Sequence, residues 1–72
     1  MKKVFKLQEL DCANCAAKME RAIAALPGVE HVTINFMTQR MTLEAADEDF
    51  ERLLSDAQKA IRKIEPDCTI VR

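Results

Sequence analysis

Tryptophan and tyrosine are absent from this chain of 72 residues, and three phenylalanines are its only aromatic residues. Platforms on which nucleic-acid bases stack need several exposed aromatic rings, so such recognition is poorly supported. The 11 basic and 12 acidic residues leave a net charge of −1, which provides no general attraction for a polyanion. The composition therefore predicts no nucleic-acid partner.

Long hydrophobic runs are also missing, although 49% of the residues are hydrophobic. A membrane-spanning helix needs roughly 20 consecutive apolar residues, and the basic start at residues 1–3 is followed by no extended apolar segment. We therefore expect neither direct membrane insertion nor an export signal. We expect one domain over residues 1–72, because a chain of this length supports one modest core and contains no evident linker.

Cysteine is scarce and odd in number, since Cys12, Cys15 and Cys68 are the three present. A disulfide framework normally uses an even number of cysteines in an exported chain. Three cysteines without an expected export signal therefore favour a reduced, cytoplasmic setting.

Alternating apolar and polar residues predict strands at residues 4–9, 29–36 and 40–45. A short apolar segment at residues 68–71 predicts a fourth strand. The link at residues 37–39 is short, so the second and third strands should be antiparallel neighbours.

Two segments instead show apolar residues at helical spacing. The first begins near Cys15 and ends at Pro27 and Gly28, and the second follows the acidic residues 47–49 and ends before Pro66. The apolar stripes are Ala16, Met19, Ile23 and Leu26 in the first segment, and Phe50, Leu53, Leu54, Ala57, Ile61 and Ile64 in the second.

The order strand–helix–strand therefore occurs twice. Two such units predict an α+β fold, the ferredoxin-like βαββαβ sandwich, with a four-stranded antiparallel sheet and both helices on one face.

The segment between the first strand and the first helix contains the chemically distinctive motif Asp11-Cys12-x-x-Cys15. The spacing lets both sulfurs converge on one point, and we expect the first helical turn to stabilise a thiolate at Cys15. Thiolates bind soft metals and also attack disulfides, so the motif is compatible with metal or redox chemistry. A polar loop is a poor place for two buried structural cysteines.

The ordered set of motifs resembles the heavy-metal-associated domain family, the small modules of soft-metal chaperones and of the cytoplasmic tails of heavy-metal P-type ATPases. The resemblance covers nearly the whole chain. It rests on the Cys-x-x-Cys pair before a helix, Leu-Pro-Gly-Val at 26–29, Val-Thr-Ile-Asn at 32–35 and Glu-Pro-Asp at 65–67. It implies metal binding at Cys12 and Cys15, and transfer by ligand exchange during transient docking with a heavy-metal ATPase transport domain or a metallochaperone.

Copper-type members of this family typically read Met-Thr-Cys-x-x-Cys, whereas this chain has Leu10 and Asp11 before Cys12. Cu⁺ is satisfied by two soft thiolates, whereas Zn²⁺ accepts mixed sulfur and oxygen ligands in a tetrahedral site. The Asp-Cys-x-x-Cys form resembles the zinc, cadmium and lead class of these ATPases. We therefore expect Asp11, Cys12 and Cys15 to bind Zn²⁺ or Cd²⁺, with Pb²⁺ as a further candidate.

Several alternatives stay open at this point. Within the same class, the chain could carry Cu⁺ or mercury, and Asp11 could serve as a helix N-terminal cap or as a simple exposed turn residue. A small dithiol redox protein, or a docking domain that uses an exposed sheet face, are hypotheses of other classes. We expect a monomer, or a dimer bridged by metal, and no enzymatic activity from these residues.

Other soft or titratable side chains have simpler expected roles. Met19 and Met41 should lie in the core and Met37 in a loop. We expect Cys68 to be a small buried residue. His31 should lie at the end of the fold opposite the cysteine pair.

Overall fold

Seven elements follow one another in residues 1–71, the part of the chain that the computed structural model describes. The strands are β1 (Lys2–Gln8), β2 (Val29–Asn35), β3 (Arg40–Ala45) and β4 (Thr69–Val71). The helices are α1 (Ala13–Ala24) and α2 (Phe50–Ile64), and a short 3₁₀ turn (Asp47–Asp49) precedes α2.

The four strands form one sheet in the order β2-β3-β1-β4, and every pairing is antiparallel. The second and third strands are hydrogen-bonded neighbours, as the short link between them predicts. The ferredoxin-like α+β fold expected from the sequence is therefore confirmed.

Most element boundaries differ from the sequence expectations by one or two residues. The largest difference is the end of α1, which stops at Ala24, so Leu26, expected on its apolar stripe, lies in the turn that follows. β1 begins at Lys2, because Lys2 already pairs with Glu44 of β3. α1 begins at Ala13, two residues before Cys15, because the side chain of Cys12 caps it. β2 ends one residue earlier than expected, and β4 begins one residue later.

The core lies between one face of the sheet and the two helices. Met19, Met41 and Cys68 are fully buried in it, as expected. The other buried members are Leu7, Leu10, Ala16, Ile23, Val32, Ile34, Leu43, Ala45, Phe50, Leu53, Leu54, Ala57 and Ile61. No helix within residues 1–71 is long and apolar enough to cross a lipid bilayer.

Strand register brings three connections to one end of the molecule. Gln8, at the end of β1, pairs with Thr69 at the start of β4, and Lys6 pairs with Arg40 at the start of β3. The β1–α1 loop, the β2–β3 turn and the α2–β4 connection therefore meet there. His31 pairs with Glu44 at the opposite end, where the sequence placed it.

Candidate metal centre

Cys12 is the N-cap residue of α1. Its backbone is extended, with φ −134° and ψ 120°, and its Sγ accepts the backbone N–H of Cys15 at 3.2 Å. An oxygen of Ser, Thr, Asp or Asn usually accepts such an N–H at the start of a helix, and here a sulfur does so. The helix start therefore places the first cysteine and stabilises negative charge on its sulfur.

The two cysteines are hydrogen-bonded to each other, and their pKa values are shifted in opposite directions. The Cys15 thiol donates to Cys12, and this contact, with the Cys15 N–H next in size, lowers the pKa of Cys12. The same contact, reinforced by burial and by the Cys12 charge, raises the pKa of Cys15 to about 11. The expectation that the helix start stabilises a thiolate at Cys15 is therefore corrected, because Cys12 receives the N–H groups.

Asp11 is exposed to solvent, one residue before the helix cap. The alternative role of Asp11 as the cap is excluded, since Cys12 occupies that position. The Asp11 charge contributes, after burial and the Glu65 charge, to raising the pKa of Cys68. In this conformation, no three His, Cys, Asp or Glu side chains within residues 1–71 are grouped closely enough to hold a metal ion.

Glu65, which the sequence analysis did not assign to the site, stands next to the cysteine pair. It is the C-cap residue of α2, and its carboxylate favours the protonated form of the Cys15 thiol through its charge and a hydrogen bond. Oε1 of Glu65 is buried and has no satisfactory hydrogen-bond partner in the described part of the chain. A buried, unpaired carboxylate oxygen is costly, so this atom is available to bind a cation.

The order of strands and helices in the predicted fold could have indicated that Glu65 lies at the site. In a βαββαβ fold the second helix returns to the end of the sheet where the first helix begins. The residue just before Pro66 therefore lies beside the β1–α1 loop. A carboxylate at that position, 50 residues after Cys15 in the sequence, comes next to its thiol.

Cys68 belongs to the core and not to the accessible part of the site. It is fully buried, and burial, followed by the charges of Glu65, Asp11 and Glu9, raises the pKa of its thiol to about 11. A neutral buried thiol is a poor metal ligand or nucleophile.

The donor groups at this end of the fold fit a thiophilic cation. The two sulfurs are hydrogen-bonded, the Glu65 carboxylate contacts Cys15, and Asp11 directly precedes Cys12 in the chain. Sulfur and oxygen donors together suit Zn²⁺ and similar borderline ions. Because three ligands are not yet grouped, a third ligand would have to rotate toward the sulfurs when metal binds.

Comparison with known proteins agrees with this geometry. The heavy-metal-associated domain matches residues 4–67. The zinc/cadmium/lead-transporting P-type ATPase of Escherichia coli strain K12 is 36% identical over 56 residues, which are 78% of this chain and 8% of that protein. The probable copper-importing P-type ATPase A of Enterococcus hirae is 32% identical over 54 residues, 75% of this chain and 7% of that protein.

A solved structure of a yeast copper transporter domain has the same fold, with a TM-score of 0.72 at 20% identity. It covers 99% of this chain and 94% of its own. The chain spans about a tenth or less of the length of the curated ATPases that it matches. The match over residues 4–67 shows that this heavy-metal-binding chain belongs to the heavy-metal-associated domain family.

Proposed function

We propose that this domain binds a divalent thiophilic ion, Zn²⁺ or Cd²⁺ and by the same chemistry Pb²⁺, through Cys12, Cys15 and a carboxylate. It delivers the ion to, or regulates, a heavy-metal P-type ATPase of which it is the cytoplasmic N-terminal domain. The observation that carries the proposal is the paired thiols with carboxylates beside them at one end of the fold.

The carboxylates favour a divalent ion over Cu⁺. Two thiolates already satisfy Cu⁺ in near-linear coordination, and a hard oxygen adds little to it. A divalent ion of borderline softness gains both a ligand and charge neutralisation from a carboxylate. Either Asp11, as the sequence predicts, or Glu65, which faces Cys15, supplies this third ligand.

Three protein ligands leave one position of a tetrahedral ion open. A thiolate from a docking partner enters there before the first ligands leave, so the metal moves without being released into water. The two thiols bind the ion in a set order. Cys12 binds first, because it carries negative charge more readily than Cys15.

A copper carrier is the second candidate, and the likeness to a copper-importing ATPase favours it. The two functions differ in what the carboxylates contribute. Removing a carboxylate should weaken Zn²⁺ and Cd²⁺ binding in the first case, and it should leave Cu⁺ binding nearly unchanged in both.

The test is metal competition on the reduced domain, with Zn²⁺, Cd²⁺ and Cu⁺ each buffered by a chelator. Asp11→Asn and Glu65→Gln are compared with wild type, and Glu9→Gln controls for the loss of one nearby negative charge. We expect at least one of the first two variants to lose about tenfold or more in divalent affinity, about 1.4 kcal/mol. An equal loss for Cu⁺, or an equal loss in Glu9→Gln, would contradict the selectivity argument.

The dithiol redox hypothesis makes a different prediction. Reduction of insulin disulfides by the metal-free domain would support it, whereas the metal proposal expects no turnover above that of free dithiol. Replacement of Cys12 and Cys15 by Ser provides the blank for both assays.

A further inference from the structure

The turn between β2 and β3 is tied to the loop that carries the first cysteine. Gln39, at the end of that turn, accepts the Leu7 N–H on its carbonyl oxygen at 2.8 Å. Its side-chain Nε2 donates to the Leu10 carbonyl oxygen at 2.7 Å. Gln39 therefore hydrogen-bonds to both ends of the segment from Leu7, in β1, to Leu10, in the loop.

The backbone between these two hydrogen bonds has little conformational freedom. Glu9 lies in the left-handed region with φ 62°, which is uncommon for a residue other than glycine. Leu10 is fully buried, so its side chain is held in the core while its carbonyl is held by Gln39. The chain leaves this anchored residue and reaches Cys12 two residues later.

We propose that Gln39 is a positioning residue for the metal loop and that it raises metal affinity by fixing the approach to Cys12. The inference rests on the proposed function, because the ordered loop matters only if the cysteines bind metal. A loop that is already ordered pays less conformational entropy when the ion binds. Partners that orient a metal ligand commonly change affinity by about 10–100-fold when removed.

The turn by itself does not account for a glutamine at position 39. The backbone of Gln39 is also left-handed, with φ 54°, a conformation that Gly and Asn adopt more readily. A residue needed only for the turn would be served better by either of these. The long amide side chain matters because it reaches the Leu10 carbonyl on the neighbouring segment.

Two substitutions at this position separate loop positioning from turn stability. Gln39→Met keeps the length of the side chain and removes the donor, at unchanged backbone strain. Gln39→Gly also removes the donor but relieves the left-handed strain, which offsets part of the cost of the lost hydrogen bond, so its apo domain should be more stable than that of Gln39→Met. Asn35→Ala is the control, because it removes the Thr38 N–H···Asn35 Oδ1 bond of 3.2 Å within the same turn and leaves Leu10 untouched.

The measurements are Cd²⁺ affinity against a competing chelator, the rate of Cd²⁺ release, the thiolate-to-Cd²⁺ charge-transfer band and the urea midpoint of the apo domain. We expect Gln39→Met and Gln39→Gly to lose about tenfold in affinity and to release Cd²⁺ faster. Gln39→Gly should do so although its urea midpoint lies above that of Gln39→Met, and Asn35→Ala should keep wild-type affinity.

Affinities that follow the urea midpoints, with a loss in Gln39→Met but none in Gln39→Gly, would overturn the positioning role. Unchanged affinity in both variants would also overturn it, while leaving the proposed function intact. Failure of the wild-type domain to bind Cd²⁺ at all would instead refute the proposed function and the inference with it. The three results are therefore distinguishable in one experiment.

Discussion

At the scale of single residues, the two cysteines of one motif differ because of which groups face them. Cys12 receives the helix-start N–H of Cys15 and the Cys15 thiol proton, so its negative charge is stabilised. Cys15 faces that charge and the Glu65 carboxylate, so it retains its proton. The spacing in the sequence makes the pair, and the surrounding groups decide which member loses its proton more readily.

This asymmetry predicts unequal alkylation of the metal-free, reduced domain. Iodoacetamide should modify Cys12 first near neutral pH, since the thiolate is the nucleophile and the pKa of Cys12 is lowered. Cys15 should become reactive only as the pH rises toward about 11. Peptide mapping by mass spectrometry over a pH series measures both rates.

Cys12→Ser is the informative variant for this prediction. It removes both the thiol acceptor and the negative charge that hold the proton on Cys15, so Cys15 should react at lower pH than in wild type. Equal wild-type rates for the two cysteines, or no change at Cys15 in the variant, would be incompatible with the asymmetry.

At the scale of elements, each edge strand of the sheet is tied to a helix by one side chain. A Glu20 carboxylate oxygen on α1 accepts the Ile34 N–H of β2 at 2.7 Å. The Gln58 amide on α2 accepts the Ile70 N–H of β4 at 2.8 Å and donates to the Cys68 carbonyl at 3.0 Å. These bonds satisfy backbone groups at the outer edges, which would otherwise be open to pairing with another chain.

The Gln58 contacts predict a stability effect, because β4 is only three residues long. Gln58→Met keeps the side-chain length and leaves the Ile70 N–H and the Cys68 carbonyl without their partner. We expect the free energy of unfolding to fall by about 1–3 kcal/mol in urea titrations.

Lys59→Met is the matched control for this substitution, since it places the same new residue at an exposed position of the same helix. It should change stability by less than about 0.5 kcal/mol. Similar losses in both variants would show that the helix surface, and not the link to β4, is responsible.

At the scale of the whole molecule, the candidate site joins segments from the two halves of the chain. Cys12 ends the β1–α1 loop and Cys15 lies in the first turn of α1, whereas Glu65 follows α2 near the other end of the sequence. A metal bound by both segments holds the first and last parts of the fold together. Small domains have marginal cores, so such a contribution should be readily measurable.

Metal binding should therefore raise the midpoint of thermal unfolding. A ligand that binds only the folded state at 100 times its Kd adds about 2.7 kcal/mol, which for a domain of this size is a shift of about 10–20 °C. Differential scanning calorimetry with Cd²⁺ measures the shift. The double variant Cys12→Ser with Cys15→Ser should show none, and an equal shift in that variant would place the metal elsewhere.

Much of the fold could be predicted from the sequence because its signals are local. Alternation over β2 and the apolar stripe of α2 each follow from burying one face of a regular element. The start of α1 was placed two residues late, since a cysteine is not among the usual helix caps and its sulfur was not recognised as one. The roles of Glu65 and Gln39 required contacts between segments that are distant in the chain.

The sequence alone determined the order of the elements, the buried positions and the cysteine pair, because these depend on periodicity and on spacing within one turn. Tertiary structure decided which cysteine has the lowered pKa and which carboxylate faces the pair. It also decided what fastens the loop at Leu10. The physical reason is that pKa values and ligand geometry depend on which groups are in contact, and antiparallel strand pairing sets those contacts across the whole chain.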